Sequence, residues 1–198
     1  MNYLLFIATF FPISLMPGIN MTFILGLSMS IGYKRSFAML LGQLFSVGFI
    51  ASICIFGAGA LLLKFEAAFR ILKFCSALYI IYLGVMLFFS RGKLSVKSVK
   101  NDKNHKELFI KGLIVSISNP KAWIFLAAIL PPFLNPNDPF GIEAYLLLFL
   151  LVFIEFICLN IYALGGSMLK KLLINHLRAL EIATASLMCI VGVWMLSI

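Results

Sequence analysis

The sequence predicts an all-α polytopic membrane protein: six transmembrane helices forming two inverted three-helix repeats, with helices 1 and 4 broken mid-membrane. Three observations carry this. The apolar share of the 198 residues is 63%. The apolar residues gather into six runs of membrane-spanning length. The first and fourth runs are each interrupted by proline at corresponding positions, Pro17 and Pro120.

With charged residues at only 12%, this much apolar surface requires lipid as its solvent. The runs fall at about Tyr3–Ile31, Phe37–Leu63, Phe69–Phe89, Leu108–Leu134, Phe140–Leu169 and Leu177–Ile198. They lack the in–out alternation of barrel strands, so helices are the expected spanning form. Turn-forming residues separate them, at Gly32-Tyr33-Lys34-Arg35, in the basic stretch from Arg91, and at Asn135-Pro136-Asn137-Asp138-Pro139. The N-terminus has no basic segment ahead of its apolar run, and the first helix reads as retained. The whole chain, 1–198, reads as one domain: repeat 1 at about 1–89, a basic loop at about 90–107, repeat 2 at about 108–198.

The net charge of +9 is distributed against a nucleic-acid function. Lys34, Arg35, Arg91, Lys93, Lys97, Lys100, Lys103, Lys106, Lys111, Lys170, Lys171 and Arg178 fall on one face of a six-span topology. Only Lys64, Arg70 and Lys73 fall on the other. Basic loops stay cytoplasmic, so both termini are expected outside the cytoplasm.

The two halves echo each other. Leu72, Ala77, Gly84 and Val85 in span 3 recur in register as Leu180, Ala185, Gly192 and Val193 in span 6. Gly57 and Gly59 are echoed by Gly165 and Gly166, and Pro17 by Pro120. A duplicated unit with an odd number of spans inserts upside down relative to its copy, an arrangement that recurs in secondary transporters with the site at the repeat interface.

The breaks hold the candidate site residues. In span 1, Pro17 removes an amide donor and Gly18 lets the backbone leave helical angles, with Asn20 suited to cap the second half-helix. In span 4, Asn119-Pro120 matches an N-cap and first-residue pair, so a half-helix is expected to begin inside the membrane with its positive end open to an anion. Lys121 adds a full charge, at about 2.5–3.5 kcal/mol on insertion scales. Glu155 reads as the only acidic residue deep in any span, with Asn160 and Tyr162 following on the same helix and Gln43 within span 2. Two compatible roles stand for Glu155: a proton carrier, or the structural ion-pair partner of Lys121. Small residues four apart, Ala38-Gly42-Ser46 and Gly48-Ser52, suit close helix packing within one chain or in a homodimer. Tyr79 and Tyr82 read as bundle contacts.

These residues resemble the lysine-exporter (LysE/RhtB) family of bacterial amino-acid exporters over nearly the whole chain. The likeness is carried by Pro17-Gly18-Ile19-Asn20, Gly42-Gln43, Ala77-Leu78-Tyr79-Ile80-Ile81-Tyr82-Leu83-Gly84, Phe109 and Gly112, Ser118-Asn119-Pro120-Lys121, and Leu130-Pro131-Pro132-Phe133. Asn-Pro-Lys within a span is the most specific element. Ile19, where many members have a second proline, and Pro132, where a glutamine is common, depart from the pattern. The resemblance implies export of amino acids or their derivatives across the bacterial cytoplasmic (inner) membrane, driven by protons, with no cofactor. Glu155 matches an acidic position of the fifth span.

The expected mechanism is alternating access between the repeats. Asn119, Pro120 and Lys121 hold the substrate carboxylate; Pro17, Gly18, Asn20, Gln43 and Asn160 supply backbone and polar contacts; Glu155 binds the amino group, a proton, or each in turn. Other classes fit poorly. A membrane redox carrier of the same superfamily needs cysteines in spans 1 and 4, whereas Cys54, Cys75, Cys158 and Cys189 lie elsewhere in apolar runs. A metal exporter needs an intramembrane cluster, but His105 and His176 read as loop residues. No protease motif of an intramembrane enzyme is present.

Overall fold

A computed structural model describes residues 3–89 and 104–196; the side chains of residues 121, 167–174 and 177 also lie outside the description. The expected basic loop is therefore largely outside the described residues. Seven α-helices follow in order: α1 (Tyr3–Leu15), α2 (Ile19–Ile31), α3 (Tyr33–Lys64), α4 (Glu66–Phe89), α5 (His105–Ile117), α6 (Pro120–Ile129) and α7 (Ile142–Leu196). A 3₁₀ turn, Pro131–Phe133, follows α6, and no strand occurs among the described residues.

Four segments are each long and apolar enough to cross a membrane: α3, α4, and the two arms of α7, Ile142–Gly166 and Arg178–Leu196. Two further pairs qualify together but are sharply bent, α1 with α2 by 54° and α5 with α6 by 61°. Counting each bent pair as one span gives six. The first bend falls at Pro17-Gly18 and the second at Ser118-Asn119, the positions marked by the sequence.

Glycines set the turns and the closest approaches. Gly32 (φ +83°) makes the one-residue turn between α2 and α3, in a left-handed region other residues avoid, and its N–H caps Ser28 O at 2.9 Å. Gly166 (φ +47°) does the same between the arms of α7. The segment after it, expected as a loop because of Lys170 and Lys171, is instead helical. Its Leu, Met and Lys content favours helix, and it contains neither Gly nor Pro. His105 and His176, expected in loops, likewise stand exposed on α5 and α7.

Two helix pairs touch backbone to backbone. A Cβ at Gly42 would collide with Phe109 O, and one at Gly112 with Met39 O, so α3 and α5 approach without intervening side chains. Ser46 Oγ donates to Leu113 O at 3.1 Å along the same seam. In the second pair, a Cβ at Gly84 would lie 2.9 Å from Ala185 O, and one at Gly192 3.0 Å from Ala77 O. That contact is reciprocal and antiparallel: Gly84 meets Ala185 while Ala77 meets Gly192. Lipid gives helices no hydrophobic reason to associate, so such small-residue contacts carry much of the bundle. The outward faces are apolar, including Phe45, Phe49, Phe74, Phe149 and Phe153. Tyr82 also faces outward, at 59% exposure, and is not the bundle contact expected.

Gly112→Ala is expected to lower unfolding free energy by about 1–3 kcal/mol, because Met39 O is backbone and cannot step aside. Gly57→Ala, whose added Cβ meets nothing within 4 Å, is expected to be neutral or stabilising by up to about 1 kcal/mol. Unfolding midpoints in detergent check both.

Candidate functional site

Each break leaves helix-end carbonyls and amides without intrahelical partners. The last carbonyl of α1, Leu15 O, accepts from Tyr162 Oη at 2.8 Å, and Tyr162 is buried in the first arm of α7. The last carbonyl of α5, Ile117 O, accepts from Trp123 Nε1 at 2.8 Å, reaching back across its own break. An aromatic donor thus covers the corresponding atom at both interruptions.

The two breaks meet at a cavity of about 160 Å³. Its polar lining comprises Ser14 at the end of α1, Asn20 in the first turn of α2, Asn119 between α5 and α6, and Glu155 in the first arm of α7. Gly18 also lines it, and Met16, Met86, Met188, Leu83, Phe10 and Phe125 supply much of the apolar wall. Ser14, Asn20, Asn119 and Glu155 are all buried. Ser14 Oγ donates to Glu155 Oε2, tying the tip of α1 to a residue 141 positions away. Ser14 and Leu15 are therefore both held by α7, through Glu155 and Tyr162.

An apolar cavity of about 150 Å³ accepts a benzene-sized molecule, so this one suits a small metabolite. Two half-helix N-termini, those of α2 and α6, begin at its wall. Their unpaired amides favour an anionic group, while Glu155 can accept from an ammonium group. An aromatic stack runs from the cavity wall, where Phe10 and Phe125 stand, to Phe6 and Phe133. Phe6 lies 5.4 Å from Phe10 and 5.2 Å from Phe133, and Phe10 lies 6.2 Å from Phe125. No three His, Cys, Asp or Glu side chains gather as a metal site among the described residues.

The expected site residues take different places. Gly18, Asn20, Asn119 and Glu155 share the cavity wall. Gln43 stands one bond behind it, donating through Nε2 to Asn20 O at 3.2 Å. Asn160 lies outside it, accepting from Tyr33 Oη at 2.7 Å and donating to Phe156 O at 2.7 Å. Pro17 and Pro120 shape the breaks without lining the cavity. The side chain of Lys121 lies outside the described residues, so its pairing with Glu155 does too; the partner Glu155 has here is Ser14.

The α2 cap departs from expectation. Gly18 occupies that position with extended backbone and no side-chain bond, while Asn20 sits inside the first turn. A cap needs non-helical backbone, and glycine adopts it two residues sooner. Sequence reasoning also missed Ser14, Tyr162 and Trp123 as site-building groups, although all three lie beside residues it singled out. It missed a second buried acid as well: Glu181, at 3% exposure, bridged by Arg178 at 3.5 Å.

The family model described as LysE type translocator matches residues 11–197. The chain belongs to this family. It is 27% identical over 182 residues to the homoserine/homoserine lactone efflux protein of Salmonella typhi, covering 91% of this chain and 88% of that protein. The protein of the same description from Salmonella typhimurium (strain LT2) is 26% identical over the same shares. An uncharacterized membrane protein of Vibrio cholerae is 26% identical over 137 residues, 68% of this chain and 66% of that one. No solved structure matches. Family and helices together make this chain a multi-pass membrane transporter.

Tyr162→Phe should leave Leu15 O buried without a donor, at a cost of about 1–3 kcal/mol. Outward-facing Tyr82→Phe should stay within about 0.5 kcal/mol of the parent. Denaturant unfolding of the purified variants compares them.

Proposed function

We propose that the chain exports small amino-acid derivatives of the homoserine type across the bacterial cytoplasmic membrane, by proton antiport with alternating access. The observation that carries this reading is the cavity itself. It joins the two half-helix N-termini, suited to a carboxylate or lactone carbonyl, to Glu155, suited to an ammonium group or a proton. Its small volume and methionine-rich wall suit a short, uncharged side chain, in keeping with the homoserine and homoserine lactone named for the Salmonella relatives.

The bundle then reads as six spans in two inverted repeats. The reciprocal contact of Ala77 and Gly84 with Ala185 and Gly192 supports this, because mutual i-to-j and j-to-i contact is the signature of a two-fold relation. The positive-inside distribution puts both termini in the periplasm. In alternating access the aromatic stack of Phe6, Phe10, Phe125 and Phe133 is the periplasmic gate. Asn119, Pro120 and Lys121 receive the carboxyl end, with Pro17-Gly18 providing the flexible opposite wall. Gln43 steadies Asn20, and Asn160 holds the cytoplasmic end of α3 through Tyr33. Glu155 binds the substrate's amino group, a proton, or each in turn. The outward aromatic face leaves room for a homodimer.

Cells overexpressing the chain are expected to tolerate otherwise toxic homoserine and to extrude labelled homoserine faster than vector controls. Glu155→Gln should abolish acceleration of efflux by an inward proton gradient, with at least a tenfold loss of driven rate. Efflux and gradient response both intact in that variant would remove Glu155 from coupling. Periplasm-active reporters fused to either terminus should be active; activity of cytoplasmic reporters there would invert the topology.

A further inference from the structure

Three buried oxygen atoms near the junction of α2, α3 and α5 have no hydrogen-bond partner among the described residues: Asn20 Oδ1, Gln43 Oε1 and Ser116 Oγ. Gln43 and Ser116 have no exposed surface, and Asn20 is 7% exposed. Gln43 donates through Nε2 to Asn20 O, which fixes its amide orientation and turns Oε1 the other way. Asn20 lines the cavity. Ser116 lies one turn beyond Gly112, which packs against the Gln43 backbone, and immediately before the break at Asn119. Its isolation stands out, because Thr9, Thr22, Ser28, Ser46 and Ser52 each bond a carbonyl of their own preceding turn.

Buried polar atoms without partners are few in native proteins, and each calls for an occupant or a cause. Two of the three are amide oxygens that only accept, and the third is a hydroxyl oxygen with lone pairs as well as a proton, so a cation or a hydrogen-bond donor would satisfy all three. The nearby C-terminal end of α5 adds partial negative charge. The three ligand side chains carry no formal charge, which suits a monovalent cation better than a divalent one, since divalent sites recruit carboxylates. Half-helix ends and unwound backbone hold monovalent ions in other broken-helix transporters.

We propose that Gln43, Asn20 and Ser116 form a monovalent-cation site beside the cavity, taking the substrate's ammonium group or a sodium ion. Glu155, already bonded to Ser14, is then the proton-carrying group. The proposal rests on the transport reading above and assigns separate residues to cation recognition and to coupling.

The test uses purified full-length protein, melted in choline, potassium or sodium chloride, with and without homoserine or 4-hydroxybutyrate, which lacks the amino group. Efflux of labelled homoserine from proteoliposomes is measured alongside. If the site takes ammonium, homoserine stabilises the protein and 4-hydroxybutyrate does not. Gln43→Met and Ser116→Ala then raise KM about tenfold or more, the loss of one hydrogen bond to a charged group, while Vmax stays within about twofold. If it takes sodium, stability and efflux respond to sodium over potassium, and the same variants lose that response. Gln43→Glu, which keeps the acceptor and adds charge, should tighten either response, whereas a merely structural Gln43 would lose activity. The proposal is overturned if neither sodium nor homoserine raises the melting temperature of the parent protein. It is also overturned if folded variants keep parental KM and ion responses, or lose Vmax alone. Should the parent protein move no homoserine, the transport reading fails, while sodium-dependent melting still reports on the site.

Discussion

In hydrocarbon, a carbonyl released from a helix has no water to fall back on, and an unmade bond there costs several kcal/mol. This chain releases such carbonyls twice, at Leu15 and at Ile117, and provides Tyr162 and Trp123 to receive them. Those two bonds allow helices to stop mid-bundle. The stops in turn create two new N-termini and the cavity they share. Without the aromatic donors, the breaks imposed by Pro17-Gly18 and Asn119-Pro120 would leave those carbonyls unmet.

Packing around the breaks is divided between stiff and open contacts. α3 meets α5 through Gly42 and Gly112, and α4 meets the last arm of α7 through Gly84 and Gly192, so closely that a Cβ at any of the four would overlap the facing backbone. Such seams resist sliding, because packed backbone cannot deform by degrees. Between the two seams lies the cavity, walled by methionine, leucine and phenylalanine side chains that change rotamer at little cost. The tip of α1 crosses this space and is tied to α7 by Ser14–Glu155 and Leu15–Tyr162. A change at the Glu155 carboxyl therefore reaches the tip of α1 through one hydrogen bond.

Much of this was legible in the chain itself. Run length and apolarity marked the spanning segments, and Pro17-Gly18 and Asn119-Pro120 marked the bends, because proline and glycine act on the backbone locally. Asn20, Asn119 and Glu155 stood out as polar residues in apolar surroundings, and all reach the cavity. Contacts between distant segments were not legible. Nothing near Ser14 announces Glu155, and a tyrosine two turns past Glu155 does not reveal which carbonyl it will reach. The helical segment after Gly166 was obscured by its lysines, which resemble a loop by charge but favour helix by propensity. Glu181 was hidden by its position near a span end, where an acid ordinarily meets solvent.

The central claim is that the space between the two breaks is where substrate binds. Single cysteines at Ala122 and Met188, which both line the cavity, test it in an otherwise cysteine-free protein reconstituted in lipid. The account predicts that a small maleimide labels both positions and that homoserine slows labelling of both. Labelling that homoserine leaves unchanged, at positions in a variant that still transports it, would place the substrate elsewhere and contradict the account.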